Sequence, residues 1–222
     1  MATTGLTRRR FLAVAGIALG GGVLTYSDLQ LPEVGGSSGT LPEITLGENA
    51  MSDKILVAYA SRTGSTAGVA EAIGRVLAES GPQVDVRPMK EVKDVTHYRA
   101  VVAGSAIRGC KWLPEAMEFV QLHQSMLASK PFAAFLVCIT LATQNEEWHK
   151  GVATWMEPVR AMVKPVSEGL FAGTLNLDKL PLLPDGLTMR VPVALGIFPQ
   201  GDHRDWGAIR AWATELRPKL AA

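Results

Sequence analysis

Continuous apolar runs alternate with amphipathic segments along most of this chain. The runs that begin at Lys54, Ala100 and Phe132 lack polar alternation, which is typical of strands buried on both faces of a parallel sheet. Apolar residues recur every three or four positions over 67–77 and again after Pro114, and this spacing predicts helices. The order of elements is therefore strand, helix, strand, helix, strand.

The remaining patterns are shorter or interrupted. Gln83–Pro88 alternates between apolar and polar residues and predicts a strand at the edge of the sheet, and Glu168–Gly173 predicts a fifth strand. A helix is expected from about 147 to 163, kinked or divided by Pro158. Asp205 is a candidate N-cap for a last helix.

Strands that alternate with helices predict an α/β fold with a parallel sheet and right-handed crossovers. Five strands, together with the loop after the first strand that is described below as a candidate phosphate site, favour the strand order 2-1-3-4-5. The segment Leu175–Gln200, rich in proline and apolar residues, is the one long excursion. It is either an extra subdomain beside the last strand or a surface for a partner.

The first 52 residues have a different character. Thr-Arg-Arg-Arg-Phe-Leu at 7–12, followed by a short apolar run to Leu24, predicts a twin-arginine export signal or anchor at 1–27. The other interpretation is a disordered basic tail. Residues 28–52, rich in Gly, Ser and Pro, are expected to form a flexible linker to a domain at 53–222. Export would place that domain in the periplasm or another extracytoplasmic space, with the N-terminal segment as a membrane tether.

The composition is that of a globular protein, with 47% hydrophobic residues and a formal charge of +1 over 222 residues. This near-neutral balance gives no indication of nucleic-acid binding. Cys110 and Cys138 are too few for a disulfide framework and lack metal-ligand spacing. They could pair in an oxidising compartment, or Cys138 could be a small core residue.

The junction between the first strand and the first helix is the strongest candidate site. Free backbone N–H groups and the positive end of the helix dipole suit a phosphate there, and Gly64 allows a close approach. The spacing matches neither the P-loop nor the G-x-G-x-x-G fingerprint, so neutral donors around a monophosphate are expected. An ordinary capped turn is the alternative. The candidate phosphate-binding residues are Ser61, Arg62, Thr63, Gly64, Ser65 and Thr66.

Two further loops should meet this one at the carboxyl edge of the sheet. Trp112 could stack on a flat ring or could cap the helix that begins at Pro114. No acid–base, nucleophilic or metal-binding arrangement stands out, and Arg108 is a candidate for tuning a bound ring. The candidate ring-binding residues are Ser105, Ala106, Ile107, Arg108, Gly109 and Trp112 in one loop, and Thr140, Leu141 and Ala142 in the other.

These motifs resemble the flavodoxin-domain family, which includes menaquinone-dependent protoporphyrinogen IX dehydrogenase. The resemblance covers about residues 53–218. It rests on Thr-Gly-Ser-Thr66, on Gly-Ser-Ala-Ile-Arg108 and on Gly201-Asp-His-Arg-Asp-Trp206. It implies a flavodoxin-like three-layer sandwich that binds FMN, with the phosphate at Ser61–Thr66 and the isoalloxazine between the other two loops.

Three functions follow as expectations. The leading one is an exported FMN-containing redox protein that passes electrons between a donor and a membrane quinone or protein partner. The enzymatic alternative is a quinone-linked oxidoreductase of the protoporphyrinogen IX dehydrogenase type. The non-enzymatic alternative is a flavin-free module that binds partners.

Overall fold

A computed structural model describes residues 43–47, 54–179 and 185–221. The predicted export signal at 1–27 and most of the predicted linker at 28–52 lie outside these residues. Within the described ranges, no helix is both long enough and apolar enough to cross a membrane.

The described strands form a seven-stranded sheet and a separate two-stranded antiparallel sheet. They are β1 (Ile44–Leu46), β2 (Lys54–Ala60), β3 (Gln83–Pro88), β4 (Ala100–Arg108), β5 (Lys111–Trp112), β6 (Phe132–Cys138), β7 (Ser167–Ala172), β8 (Thr174–Leu175) and β9 (Gly201–Asp202).

Five strands of the large sheet are parallel and lie in the order β3-β2-β4-β6-β7. The predicted order 2-1-3-4-5 is therefore confirmed. Pairing of Ala60 with Ser105, and of Ser105 with Leu136, aligns the carboxyl ends of the three central strands. The loops that follow β2, β4 and β6 consequently lie at one edge of the sheet.

Helices cover both faces of the sheet. They are α1 (Ser65–Ala78), α2 (Pro114–Leu122), α3 (Gln124–Ala128), α4 (Glu146–Val152), α5 (Glu157–Met162), α6 (Asp185–Ala194) and α7 (Trp206–Leu220). A 3-10 turn at Ala153–Met156 separates α4 from α5, and Pro158 lies in the first turn of α5. The predicted division of this helix is confirmed.

Two apolar cores stabilise the resulting three-layer sandwich. On one face, Ile73 of α1 and Ile209 of α7 are fully buried against the sheet. On the other face, Val120 of α2 and Met156 are fully buried. Each such side chain contributes about 1.5–3 kcal/mol relative to an exposed one.

The structure corrects the prediction for the sheet edge. Gln83–Pro88 was expected there, but β1 pairs antiparallel with it, Ile44 opposite Val86. Ile44–Leu46 falls within the predicted linker, so part of that segment joins the sheet. Covering the outer side of β3 satisfies backbone groups that a bare edge would expose.

The segment Leu175–Gln200 begins in β8 and ends just before β9. These two strands pair antiparallel at its ends, with Leu175 opposite Gly201. Phe198 is buried, and its ring centroid lies 6.0 Å from that of Trp148 on α4. The described part of this excursion therefore packs on the domain as a small subdomain.

Candidate functional site

The loop between β2 and α1 has the backbone geometry of an anion site. Gly64 is the N-cap of α1 and has a left-handed backbone (φ 87°), which suits a residue without Cβ. Its N–H donates to Ser61 Oγ at 3.1 Å, which closes the loop. A glycine N-cap has no side chain to accept from the first helical turn, so those N–H groups remain available to a ligand.

The hydroxyls of this loop divide into two kinds. Ser61 Oγ accepts from Gly64, and Ser65 Oγ accepts from the Thr174 N–H of β8 at 3.0 Å. Thr66 differs because it is fully buried and its Oγ1 has no hydrogen-bond partner among the described residues. A buried hydroxyl without a partner costs about 1–3 kcal/mol, so Thr66 is the side chain that a phosphate would satisfy.

Arg62 has a different place from the one expected for a phosphate ligand. Its guanidinium forms a bidentate ion pair with the Glu115 carboxylate in the first turn of α2, with an Nη2–Oε2 distance of 3.0 Å. The Glu115 carboxylate therefore neutralises the charge of Arg62, and this ion pair connects the phosphate loop to α2. The donors left in the loop are neutral, as the sequence predicts.

The segment after the core of β4 is a hairpin and not an open loop. The strand continues to Arg108 and pairs with β5, Ile107 opposite Trp112. The turn residues Gly109 and Cys110 have φ values of 56° and 63°, which two-residue hairpins of type I′ require. This hairpin forms the second wall of the site.

The side chains of this wall have separate roles. Ser105 is fully buried, and its Oγ accepts from the Leu113 N–H (3.0 Å) and donates to the Ala106 carbonyl (2.8 Å). It holds the hairpin and does not face a ligand. Ala106 and Ile107 are half-buried, whereas Arg108 and Gly109 are exposed at the rim.

The structure places Trp112 in the core. Only 4% of this residue is exposed, and it belongs to the apolar cluster that includes Leu113 and Phe119. A ring buried by protein cannot present its face to a second ring, so the stacking interpretation loses its support. The alternative, packing at the start of α2, is the arrangement observed.

The third wall is a 3-10 turn at Ile139–Ala142 that follows β6 directly. Thr140 is buried, and its carbonyl accepts from Thr143 Oγ1 at 2.7 Å. Leu141 and Ala142 are half-buried and line the wall. The predicted segment Thr140–Ala142 thus lies at the expected edge, with its backbone constrained from within.

Two ionisable side chains near these walls, Cys138 and Tyr59, are held in their neutral forms. Burial raises the pKa of the Cys138 thiol to about 12, and burial with nearby Glu43 and Glu71 raises the pKa of Tyr59 to about 12. The cysteines at 110 and 138 are both buried and unbonded to each other. The described ranges contain no cluster of three His, Cys, Asp or Glu side chains that could hold a metal ion.

One neighbour of the loop is not predicted by the sequence. Arg204, between β9 and α7, lies against Gly68 in the first turns of α1, and a Cβ at Gly68 would stand 2.6 Å from its Nη1. The signals were a glycine inside a helix and the conspicuous Gly201–Trp206 motif. Neither pattern shows that these two segments, which are 136 positions apart in the sequence, lie in contact in the fold.

Comparisons with known proteins agree with this fold. A family model described as the flavodoxin domain matches residues 56–191. The chain is 25% identical over 134 residues to a flavodoxin from Nitratidesulfovibrio vulgaris (strain DSM 19637 / Miyazaki F). The aligned region covers 57% of this chain and 86% of that relative.

Solved structures resemble the chain in fold. A flavodoxin from Streptococcus pneumonia TIGR4 matches with a TM-score of 0.51 and 17% identity, over 75% of this chain and 99% of that one. The metal-soaked Flv1 flavodiiron core from Synechocystis sp. PCC6803 matches with a TM-score of 0.50 and 12% identity, over 78% of this chain and 37% of that one. At such identities the structural matches establish the fold alone.

Proposed function

This chain belongs to the flavodoxin-domain family, and on that premise we propose that it is an exported FMN-binding redox protein whose electrons go to a membrane quinone or a protein partner. Proteins of this family bind FMN. The observation that carries the proposal is Thr66, whose buried Oγ1 lies in the first turn of a glycine-capped helix and has no hydrogen-bond partner among the described residues. A phosphate is the ligand chemistry that satisfies both the hydroxyl and the helix N–H groups.

The residues of the phosphate loop then have distinct tasks. Thr66 Oγ1 and the first-turn N–H groups of α1 donate to phosphate oxygens, while Gly64 permits their close approach. Ser61 and Ser65 keep the loop closed through their bonds to Gly64 and Thr174. The ion pair of Arg62 with Glu115 fixes the loop relative to α2.

The other two walls shape a slot for a flat ring. Ala106 and Ile107 on one side, and Leu141 and Ala142 on the other, are half-buried residues without charge, which suits an aromatic ring system. FMN, when bound, supplies the electron- or hydride-transfer chemistry. The chain's own part is to bind, orient and shield that ring, and Arg108 at the rim is the side chain proposed to tune it.

Export and the partner rest on the N-terminal sequence. The three arginines at 8–10 and the apolar run that follows support the twin-arginine route, which carries folded proteins with cofactors already inserted. A domain that acquires FMN before export fits this route. The anchor, if retained, would keep the domain near quinones in the membrane.

The enzymatic alternative is a quinone-linked oxidoreductase of the protoporphyrinogen IX dehydrogenase type. The specific observation in its favour is the subdomain that follows β8, because Phe198 packs it against Trp148, close to the third wall. Such a position could enlarge the site for a bulky substrate. Oxidation of protoporphyrinogen by the purified protein with a quinone acceptor would establish this activity, and FMN redox cycling without it would favour the carrier.

The visible spectrum of the purified full-length protein tests the central proposal. We expect flavin absorption bands, release of FMN on denaturation, and quenching of FMN fluorescence when the apoprotein is titrated. Colourless protein that leaves the fluorescence of added FMN unchanged would contradict FMN binding and favour the partner-binding module.

A further inference from the structure

Arg204 lies beside the phosphate loop although it is distant in sequence. Its guanidinium faces Gly68, where an added Cβ would meet Nη1 at 2.6 Å. Gly68 follows Ser65 by three positions and so lies on the same face of α1. The Arg204 side chain is only 17% exposed, so its charge is held close to the first turn of the helix.

Three contacts fix this position. Arg204 Nε donates to Asp202 Oδ1 at 2.8 Å, and Nη2 donates to Asp202 Oδ2 at 2.5 Å. The guanidinium carbon lies 4.3 Å from the centroid of the Trp206 ring, within cation–π range. The two-stranded sheet of β8 and β9, which carries Asp202, is itself bound to the loop, because Thr174 N–H donates to Ser65 Oγ.

The Arg204 guanidinium and the N-terminus of α1 place two positive groups close together, which is unfavourable by itself. Asp202 supplies one negative charge, but its side chain is 46% exposed and therefore partly screened by water. Arg62, the other arginine nearby, is already balanced by Glu115. Each arginine is thus paired with one carboxylate, and the first turn of α1 itself contains no acidic residue, so the helix N-terminus is the positive group left for an anion.

A second observation points to the same ligand. Thr66, in the first turn of the same helix, is fully buried, and its Oγ1 has no hydrogen-bond partner among the described residues. Gly68, against which Arg204 lies, follows Thr66 by two positions, so the guanidinium and the hydroxyl approach the N-terminus of α1 from different sides of the helix.

We propose that Arg204 is a specificity residue that makes this site select a phosphorylated flavin over the same flavin without phosphate. The inference rests on the proposed function and deepens it. Asp202 acts against it by partly neutralising the guanidinium while holding it in place. In this proposal the Gly201–Trp206 motif, which precedes α7, places a charged side chain beside the phosphate loop.

The test compares FMN with riboflavin on the full chain. For Arg204→Gln we expect FMN affinity to fall roughly tenfold and riboflavin affinity to change less than about twofold, because only FMN carries the charge. For Asp202→Asn we expect FMN affinity to rise about two- to threefold, since Asn retains an oxygen acceptor for Arg204 but loses the opposing charge. Fluorescence quenching of each flavin gives both affinities.

Two more variants guard against a folding artefact. Gly68→Ala favours the helix yet forces Nη1 away, so it should lower FMN affinity selectively while the thermal midpoint is kept. Arg75→Gln is the matched control, because Arg75 lies on the same helix but pairs with Glu71 in solvent. It should leave both affinities unchanged.

The alternative is a structural clamp between α1 and α7. Equal weakening of FMN and riboflavin by Arg204→Gln, or weaker FMN binding by Asp202→Asn, would establish the clamp and overturn the inference. Unaltered FMN binding by Arg204→Gln would overturn it too. Wild-type protein that binds neither flavin would instead overturn the proposed function itself, so the two failures are distinguishable.

Discussion

Replacing Thr66 by valine removes one hydroxyl from the first turn of α1 and leaves the shape of the side chain nearly unchanged. The structure makes opposite predictions for the two states of the protein. In the apoprotein Thr66 Oγ1 is buried without a partner among the described residues, and such a group costs about 1–3 kcal/mol. Thr66→Val should therefore leave the free energy of unfolding of the apoprotein unchanged or raise it by about 1 kcal/mol.

In the complex the same hydroxyl is expected to donate to a phosphate oxygen. A hydrogen bond to a charged group contributes about 1.5–3 kcal/mol, which corresponds to a rise in the FMN dissociation constant of about 10- to 100-fold. Urea denaturation of the apoprotein measures the first effect, and quenching of FMN fluorescence measures the second. Opposite signs in the two assays are the signature of a side chain kept for a ligand.

Two substitutions serve as comparisons. Ser65→Ala removes a hydroxyl that already accepts from Thr174, so it should destabilise the apoprotein by about 1 kcal/mol. Thr214→Val changes an exposed residue of α7 whose Oγ1 bonds to the Arg210 carbonyl, and FMN binding should not respond. If Thr66→Val destabilised the apoprotein and left FMN affinity intact, the assignment of Oγ1 to the phosphate would be refuted.

Three further predictions address stability and redox tuning. Burial lowers the pKa of His123, and nearby Asp94 partly opposes this shift. As the pH falls, the unfolded chain therefore binds the proton before the folded protein does, so the free energy of unfolding should fall below about pH 6.5 by up to about 1.4 kcal/mol per pH unit. Urea titrations measure this trend, and His123→Gln should abolish it. Arg108→Ala should lower the reduction potential of the bound flavin, because a cation near the ring favours its anionic reduced form; spectroelectrochemistry showing an equal or higher potential would rule this out. Gly104→Ala would place a Cβ 1.9 Å from the Phe135 ring, so thermal unfolding should show a loss of about 1–3 kcal/mol or more, and an unchanged midpoint would contradict the packing described.

The sheet was predictable because its signals are local. The apolar runs of β2, β4 and β6 need no knowledge of their neighbours to be identified as strands buried on both faces. The cap at Asp205, which accepts from the Ala208 N–H at 2.9 Å, is likewise encoded by adjacent residues. Topology then followed from the handedness of the crossovers and the short connections.

What could not be predicted depends on partners far along the chain. The three residues of β1 are too short to signal a strand, and their pairing with β3 spans about 40 positions. The continuation of β4 into a hairpin depends on two consecutive positive φ values, of which only Gly109 gave any sign. Cys110 carries none, because its left-handed backbone is uncommon for a residue with a Cβ.

The side-chain predictions for the site divide along the same line, and the division has a physical cause. Ser61, Arg62, Ser65 and Ser105 are candidate ligands in the sequence motifs, and in the structure each holds backbone or a neighbouring element. A loop whose N–H groups must point at an anion cannot also satisfy itself internally, so nearby polar side chains stabilise its shape instead. The sequence motif does not show which of its side chains hold the loop and which remain for a ligand. Among the hydroxyls of the phosphate loop, Thr66 Oγ1 is the buried one that has no partner among the described residues, so it is the group to test first.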